Sequence, residues 1–374
     1  MVRAIVLLAW ILVALPVAAS EVSFGPAYDT PLAGPSRSKG AVIYNHGKNV
    51  GADPRGWVPP YIDSVRKAGW DVYKLVRPVG ADNVNDSADA LIAAAKELRA
   101  MGYARVATMG QSYGAWISFV AAGRDKSLFD AIVATAPAAY GYSGQNTRYG
   151  DFNWQDNAQV VSLAEEIGRS RVMAFFFRLD DFDPGGRGAR MQAVLAERKL
   201  MYAVFDQPAG YTGHSAALSG RFAREFGDCI ADFLNAQEAA GPYACPPLSP
   251  RDHLSFFELP GDLAIEPPSP ALPNGHKAFA GKWLGLYDNG REMVLAVEKI
   301  SQAEVAAVYA WTGLPGSDEA GGWVRLTGRI DGSTLVFTNP KRTISFTPTP
   351  EGTLKVEWTG SDGRVLKTVA SRID

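Results

Sequence analysis

The sequence predicts an α/β domain built on a mostly parallel sheet, followed by a smaller antiparallel β domain. Three observations carry this expectation. Short apolar runs alternate with amphipathic stretches from residue 40 to 235, a Pro-rich break follows at 241–274, and beyond it short alternating runs are separated by Gly-containing turns. Near-continuous apolar runs joined by helices mark strands buried on both faces, whereas alternation with tight turns marks an antiparallel meander. A chain of 374 residues is too long for one ordinary core and comfortable for two.

In the first part, strands are expected at Ala41–Asn45, Asp71–Val76, Val106–Met109, Ala131–Thr135, Val172–Phe177 and Met201–Phe205, each rich in Val, Ile, Phe or Tyr and bounded by Gly, Pro or charged residues. Helical patterns lie between them. Ser87–Met101 places Ala90, Leu91, Ala94, Ala95 and Leu98 on one face, and Tyr113–Ala122, Val160–Ile167, Arg190–Glu197 and Ala216–Leu234 show similar spacing. The nine prolines between Gly241 and Asn274 remove donors and fix φ, so this stretch reads as an extended connector, with the first domain as the surface for it to lie over. Eight strands are expected after it: Trp283–Tyr287, Met293–Ile300, Ala306–Trp311, Trp323–Ile330, Thr334–Thr338, Thr343–Thr347, Thr353–Trp358 and Val365–Ser371. Curled on themselves they give a barrel or sandwich, with Trp283, Tyr287, Tyr309, Trp311, Trp323 and Trp358 filling its interior or forming a ligand platform.

The first twenty residues read as a cleaved secretory signal: Arg3, an apolar run from Ala4 to Leu15, and small residues at Ala18, Ala19 and Ser20. The run is shorter than the roughly 20 residues that span a bilayer. The expected organisation is therefore a signal peptide at 1–20, an α/β domain at 21–240, a connector at 241–275 and a β domain at 276–374, in a chain exported to a periplasm or secreted, without stable membrane insertion. Export permits a disulfide between Cys229 and Cys245, worth about 3 kcal/mol for so short a loop. Composition narrows the function. With 37 Lys plus Arg against 39 Asp plus Glu and no basic run, nothing suggests a nucleic-acid face. Two Cys cannot build a Cys-rich zinc site, and four His leave few ways to make a His-ligated metal centre.

One motif carries chemistry. Gly110-Gln111-Ser112-Tyr113-Gly114 fits G-x-S-x-G and sits between a predicted strand and a predicted helix, the turn that exposes a serine nucleophile. A serine hydroxyl needs a base, and the base an orienting acid. Of the four histidines, His253 and His276 are expected in the connector and His46 ends an early strand. His214 lies between the last strand and the last helix of the first domain, at the same sheet edge as Ser112. The acid is expected in the loop after the preceding strand, where Asp180 is preferred and Asp181 is the alternative. The backbone N–H groups of Tyr113 and of Lys48, which follows His46-Gly47, are the expected oxyanion donors, with His46 as scaffolding. The loop from Pro137 to Asn157, with Tyr140, Tyr142, Tyr149, Phe152 and Trp154, reads as a substrate rim.

This order of Ser112, Asp180 or Asp181, and His214, with His46-Gly47 upstream, resembles the α/β-hydrolase superfamily over residues 40–236, and its dienelactone-hydrolase-like and small-esterase branches in particular. The resemblance implies a Ser-His-Asp triad, an acyl-enzyme intermediate and no cofactor. Dienelactone hydrolases carry Cys as nucleophile; Ser112 here favours ordinary ester or amide substrates. The segment Gly281-Lys282-Trp283 resembles the opening of lipocalin-like barrels. The expected function is an exported serine hydrolase, foremost a carboxylesterase acting on a small or acylated substrate. The alternatives are a serine peptidase or amidase of the same fold, or a non-catalytic ligand-binding protein on a hydrolase scaffold.

Overall fold

A computed structural model describes residues 22–48, 57–78, 82–140, 154–237, 240–245, 254, 257–314 and 319–373. The segment read as a signal peptide lies outside the described residues, as do Tyr142, Tyr149, Phe152, the Trp154 side chain and His253.

The first domain runs β1 (Ser23–Pro26), β2 (Ala41–Asn45), α1 (Pro60–Lys67), β3 (Asp71–Val76), α2 (Val84–Ala100), β4 (Val106–Gln111), α3 (Tyr113–Arg124), β5 (Ala131–Thr135), α4 (Val160–Glu166), β6 (Arg171–Phe176), α5 (Arg187–Glu197), β7 (Met201–Asp206), α6 (Gly220–Asn235) and β8 (Gly241–Pro242). The strands form one sheet in the order β1-β3-β2-β4-β5-β6-β7-β8, parallel except for β1 at the edge. Successive strand residues divide between two cores. Ala41 and Ile43 join α2 to α5 on one face, while Val42 and Tyr44 join α1 and α6 on the other. The chain leaves β2 toward β3 on one side and returns to β4 on the other. The carboxyl ends of β2 and β4 therefore flank the point where strand order reverses, which is where open α/β sheets bind ligands.

All six expected strands of this sheet form. Three further elements were not expected: the antiparallel edge β1, the two-residue β8, and α1, which opens at Pro60. The expected helix from Ala216 to Leu234 is divided. A 3₁₀ turn at Ala216–Leu218 precedes α6, and Ser219 separates them by capping α6, its Oγ accepting the Phe222 N–H at 3.1 Å. Cys229 of α6 is bonded to Cys245.

The second domain begins with the short α7 (Asn274–Lys277). It then runs β9 (Gly281–Leu286), β10 (Glu292–Ile300), β11 (Val305–Trp311), β12 (Gly322–Asp331), β13 (Thr334–Asn339), β14 (Arg342–Pro348), β15 (Leu354–Gly360) and β16 (Val365–Ile373). These strands close into an antiparallel barrel in which each pairs with its sequence neighbour and β16 returns to β9. Trp283, Tyr287, Tyr309, Leu295, Phe337 and Phe346 fill the interior, with Trp311 and Trp358 packed against them. Trp323 is the exception: it is 40% exposed, on the outer surface beside Arg325. The connector covers more than the first domain. Tyr243 and Cys245 pack on the α6 side of the sheet, but Phe257, Leu259 and Leu263 cover the outside of the barrel over Val294, Ala296 and Val308.

Candidate active site

Ser112 caps the junction of β4 and α3 with φ 54° and ψ −119°, a region that L-residues avoid. The local sequence makes that turn possible. A Cβ on Gly110 would lie 2.4 Å from the Gly114 carbonyl carbon, and one on Gly114 would lie 2.1 Å from the Asn45 carbonyl oxygen. Both glycines are therefore required by close backbone approach, and α3 begins directly under β2. The Ser112 side chain is left partly accessible.

His214 and Asp180 arrive on neighbouring loops that are stitched together. Arg178 pairs with Thr212 as a parallel bridge, and the Gly213 N–H donates to the Arg178 carbonyl at 2.8 Å. Gly213 takes φ +83° and Leu179 φ +57°, which turn the next side chains toward each other. The Ser112 Oγ–H donates to His214 Nε2 at 2.8 Å, and His214 Nδ1–H donates to Asp180 Oδ1 at 2.9 Å. Asp180 is buried and also accepts the Phe182 N–H at 2.9 Å. Burial pushes its carboxyl up, but the imidazole of His214 and the guanidinium of Arg187 outweigh it and hold the group below the usual carboxylate range. Asp181 is exposed, and the His214 Nδ1 contact is made by Asp180 instead. The Phe182 ring lies 4.2 Å from the His214 ring, centroid to centroid.

A cavity of about 220 Å³ opens over Ser112 and His214, with Gly47, Lys48, Tyr113, Tyr140 and Phe182 among its lining residues. The first N–H groups of a helix lack intrahelical acceptors, and Tyr113 is the first residue of α3. Lys48 faces it from the loop after β2, with its ammonium 4.7 Å from the Tyr113 ring centre. A Cβ on Gly47 would come within 2.5 Å of Gln111 Oε1, so the Gln111 side chain packs directly against this loop. His46 is buried beneath it and does not reach the cavity. Its Nδ1–H donates to the Gly47 carbonyl at 2.6 Å, and its Nε2 accepts the Arg77 N–H at 3.3 Å. Burial, helped by the Arg77 guanidinium, lowers its pKa to about 3, which keeps the ring neutral.

Several residues that build the site carry no signal in the linear sequence. Arg77 donates to the His46 carbonyl at 2.6 Å and forms a buried ion pair with Asp82 at 3.0 Å, and Ser87 donates to the other Asp82 oxygen. Arg187, fully buried, pairs with Asp183 at 2.9 Å and donates to the Pro137 carbonyl. Asn157 Oδ1 accepts the N–H groups of Ala139 and Tyr140. These contacts fix the segment 137–140 against the cavity. His276 sits in α7 of the second domain.

Sheet order, crossover pattern and the turn at Ser112 define an α/β-hydrolase fold, joined to a closed eight-stranded barrel. The model of the prolyl oligopeptidase family (Peptidase_S9) matches residues 73–166, the stretch that contains α2, β4, Ser112 and α3. Among solved structures the chain is similar to a monoacylglycerol lipase of Paleococcus ferrophilus, at 16% identity over 57% of this chain and 98% of that one, with a TM-score of 0.44. It is similar to Est1E from Butyrivibrio proteoclasticus at 12% identity over 57% of this chain and 92% of that one, TM-score 0.40. It is also similar to dipeptidyl peptidase 4 of Porphyromonas gingivalis at 17% identity over 57% of this chain and 33% of that one, TM-score 0.43. No curated protein matches the chain.

Proposed function

We propose that the protein is an exported serine hydrolase that cleaves carboxylic esters. The observation that carries this reading is the unbroken pair of hydrogen bonds from the Ser112 hydroxyl through His214 to buried Asp180. In the first half-reaction Ser112 Oγ attacks the substrate carbonyl carbon and its proton passes to His214 Nε2. The carbonyl oxygen, now an oxyanion, takes hydrogen bonds from the backbone N–H groups of Tyr113 and Lys48. Collapse of this intermediate breaks the bond to the alkoxy group, which leaves with the proton from His214, and Ser112 remains acylated. In the second half-reaction water attacks the acyl-enzyme, gives its proton to His214, and the carboxylic acid departs as Ser112 recovers its hydrogen. Asp180 keeps the imidazole in one tautomer and offsets its charge when it is protonated. Export rests on the leader-like Met1–Ser20 and is supported by the Cys229–Cys245 bond; among the described residues no helix is long and apolar enough to cross a membrane.

The match to the prolyl oligopeptidase family favours a second reading, hydrolysis of amides or peptides at the same three residues. One comparison separates them. 4-Nitrophenyl acyl esters and aminoacyl 4-nitroanilides are offered to wild-type protein and to Ser112→Ala. Ester turnover that is lost in the variant supports the esterase, and a kcat/KM higher for anilides supports the peptidase. Turnover of ester undiminished in Ser112→Ala would overturn both.

A further inference from the structure

A second cavity is larger than the one over Ser112. It is a cleft of about 910 Å³ between the domains, and His214 lines both. One wall is the pair of loops that carry Asp180 and His214; the other is the outer face of β15 and β16 together with the turn between β9 and β10.

The two walls are held together by buried contacts, so the cleft has a built shape. Thr212 donates its hydroxyl to the Leu286 carbonyl at 3.1 Å, and Leu286 itself packs into the core of the first domain. Glu292 of β10, buried, accepts the Arg221 N–H at the start of α6 and pairs with Arg224 at 3.0 Å. Gly213 lies so close to the barrel that a Cβ there would sit 2.8 Å from the Asp288 Cα.

The lining has a recognisable chemistry. Leu179 is 61% exposed and Val365 41% exposed, two of the few large apolar side chains left open to solvent, and both face this cleft. Cations outnumber carboxylates. Arg178, Lys355 and Lys367 face Asp181 and Asp288. Arg178 and Lys355 form no salt bridge among the described residues, although Arg178 is near enough to Glu351 to help lower its carboxyl. Lys367 pairs with Glu357 at 3.8 Å and also acts on Asp288. An apolar strip beside an excess of cations suits a chain that ends in an anion.

We infer that this cleft is the remote substrate subsite: the hydrolase acts on esters whose part distant from the scissile carbonyl carries an apolar segment ending in an anionic group, held by Lys355 and Lys367 of the barrel and Arg178 of the first domain. The barrel is then part of the substrate site, and specificity depends on the second domain. This inference rests on the serine-hydrolase reading above.

The test uses the full chain and two matched ester series. In one, 4-nitrophenyl monoesters of dicarboxylic acids of four to ten carbons are compared with 4-nitrophenyl esters of n-alkanoic acids of the same lengths. In the other, the carboxylate is placed on the alcohol side of acetyl esters. The wild-type enzyme is expected to prefer the anionic member of at least one series by about tenfold in kcat/KM, equivalent to about one strong charge-assisted contact. The preference should shrink as ionic strength rises. In the double variant Lys355→Glu, Lys367→Glu the ratio of anionic to neutral kcat/KM should fall below one, whereas Lys299→Glu, at the opposite end of β10, should leave the ratio where it was. Thermal melting of each variant checks that the fold is retained. Turnover of neutral esters with no charge preference in either series, or a preference that survives the double charge reversal, would overturn this inference alone. No turnover of any ester together with no reaction of Ser112 toward a fluorophosphonate would overturn the hydrolase reading beneath it.

Discussion

At Ser112 the chain holds a positive φ in a residue that has a Cβ, a conformation that costs about 1–3 kcal/mol. The cost is understandable if the hydroxyl must stand clear of the helix and reach His214 Nε2 at 2.8 Å. The other two members can be separated by mutation. His214→Ala should lower ester kcat by about 10⁴-fold, and Asp180→Asn by a comparable factor because the wrong imidazole tautomer is then favoured. Asp181→Asn should change kcat by less than about threefold, since that side chain is exposed. Steady-state kinetics on protein with an unchanged melting temperature checks all three. His46 has a different consequence. Its folded pKa of about 3 lies below the ordinary 6.5, so the folded state binds fewer protons in that window. Stability is full above pH 6.5 and falls as pH drops toward 3, by about 5 kcal/mol in the limit. Urea midpoints measured across this range should fall steeply in the wild type and less steeply in His46→Asn.

Among the elements, the turn from β4 to α3 is the least tolerant of change. Gly114→Ala would drive a methyl into the Asn45 carbonyl, so either β2 or α3 must shift, and both carry the site. The variant should lose several degrees of melting temperature and most of its esterase activity, measured by calorimetry and turnover on one preparation. Strands such as Ala41–Asn45 and Ala131–Thr135 were legible because every residue in them is buried, and burial on both faces writes an unbroken apolar run. The helix α1 carried little signal: it is eight residues long and opens at Pro60 after Pro59, and Pro disrupts a helix interior although at the first helical position it starts one. Edge strand β1 ends in Gly25-Pro26 and has only one neighbour, which leaves little pattern to find. The G-x-S-x-G turn and the loops holding Asp180 and His214 could be read from local sequence and chain order. The Arg77–Asp82 and Arg187–Asp183 pairs could not, because an arginine's burial depends on distant backbone that no local pattern encodes.

For the whole molecule, the two domains meet at the loop that carries His214. Glu292 reaches from the barrel to the first turn of α6, and Leu286 enters the core beside that helix. Glu292→Ala would leave Arg224 and the start of α6 without their carboxylate and should cost about 3 kcal/mol. Glu292→Gln, which still offers an oxygen to the Arg221 N–H, should cost less; chemical denaturation of the two variants gives the order. The barrel was predictable strand by strand because Asp331-Gly332, Glu351-Gly352 and similar pairs mark its turns, with positive φ at Gly332, Gly352 and Gly363. How the barrel docks was not predictable, since the contacts join residues about 70 positions apart, such as Thr212 to Leu286.

The central claim is that Ser112 is a nucleophile activated by His214. Reaction of the full chain with a fluorophosphonate, followed by intact mass and peptide mapping, tests it most directly. The expected result is a single adduct on the peptide containing Ser112, absent in Ser112→Ala and formed far more slowly in His214→Ala. A folded wild-type protein that takes no label, or a Ser112→Ala variant that labels as fast as wild type, would contradict it.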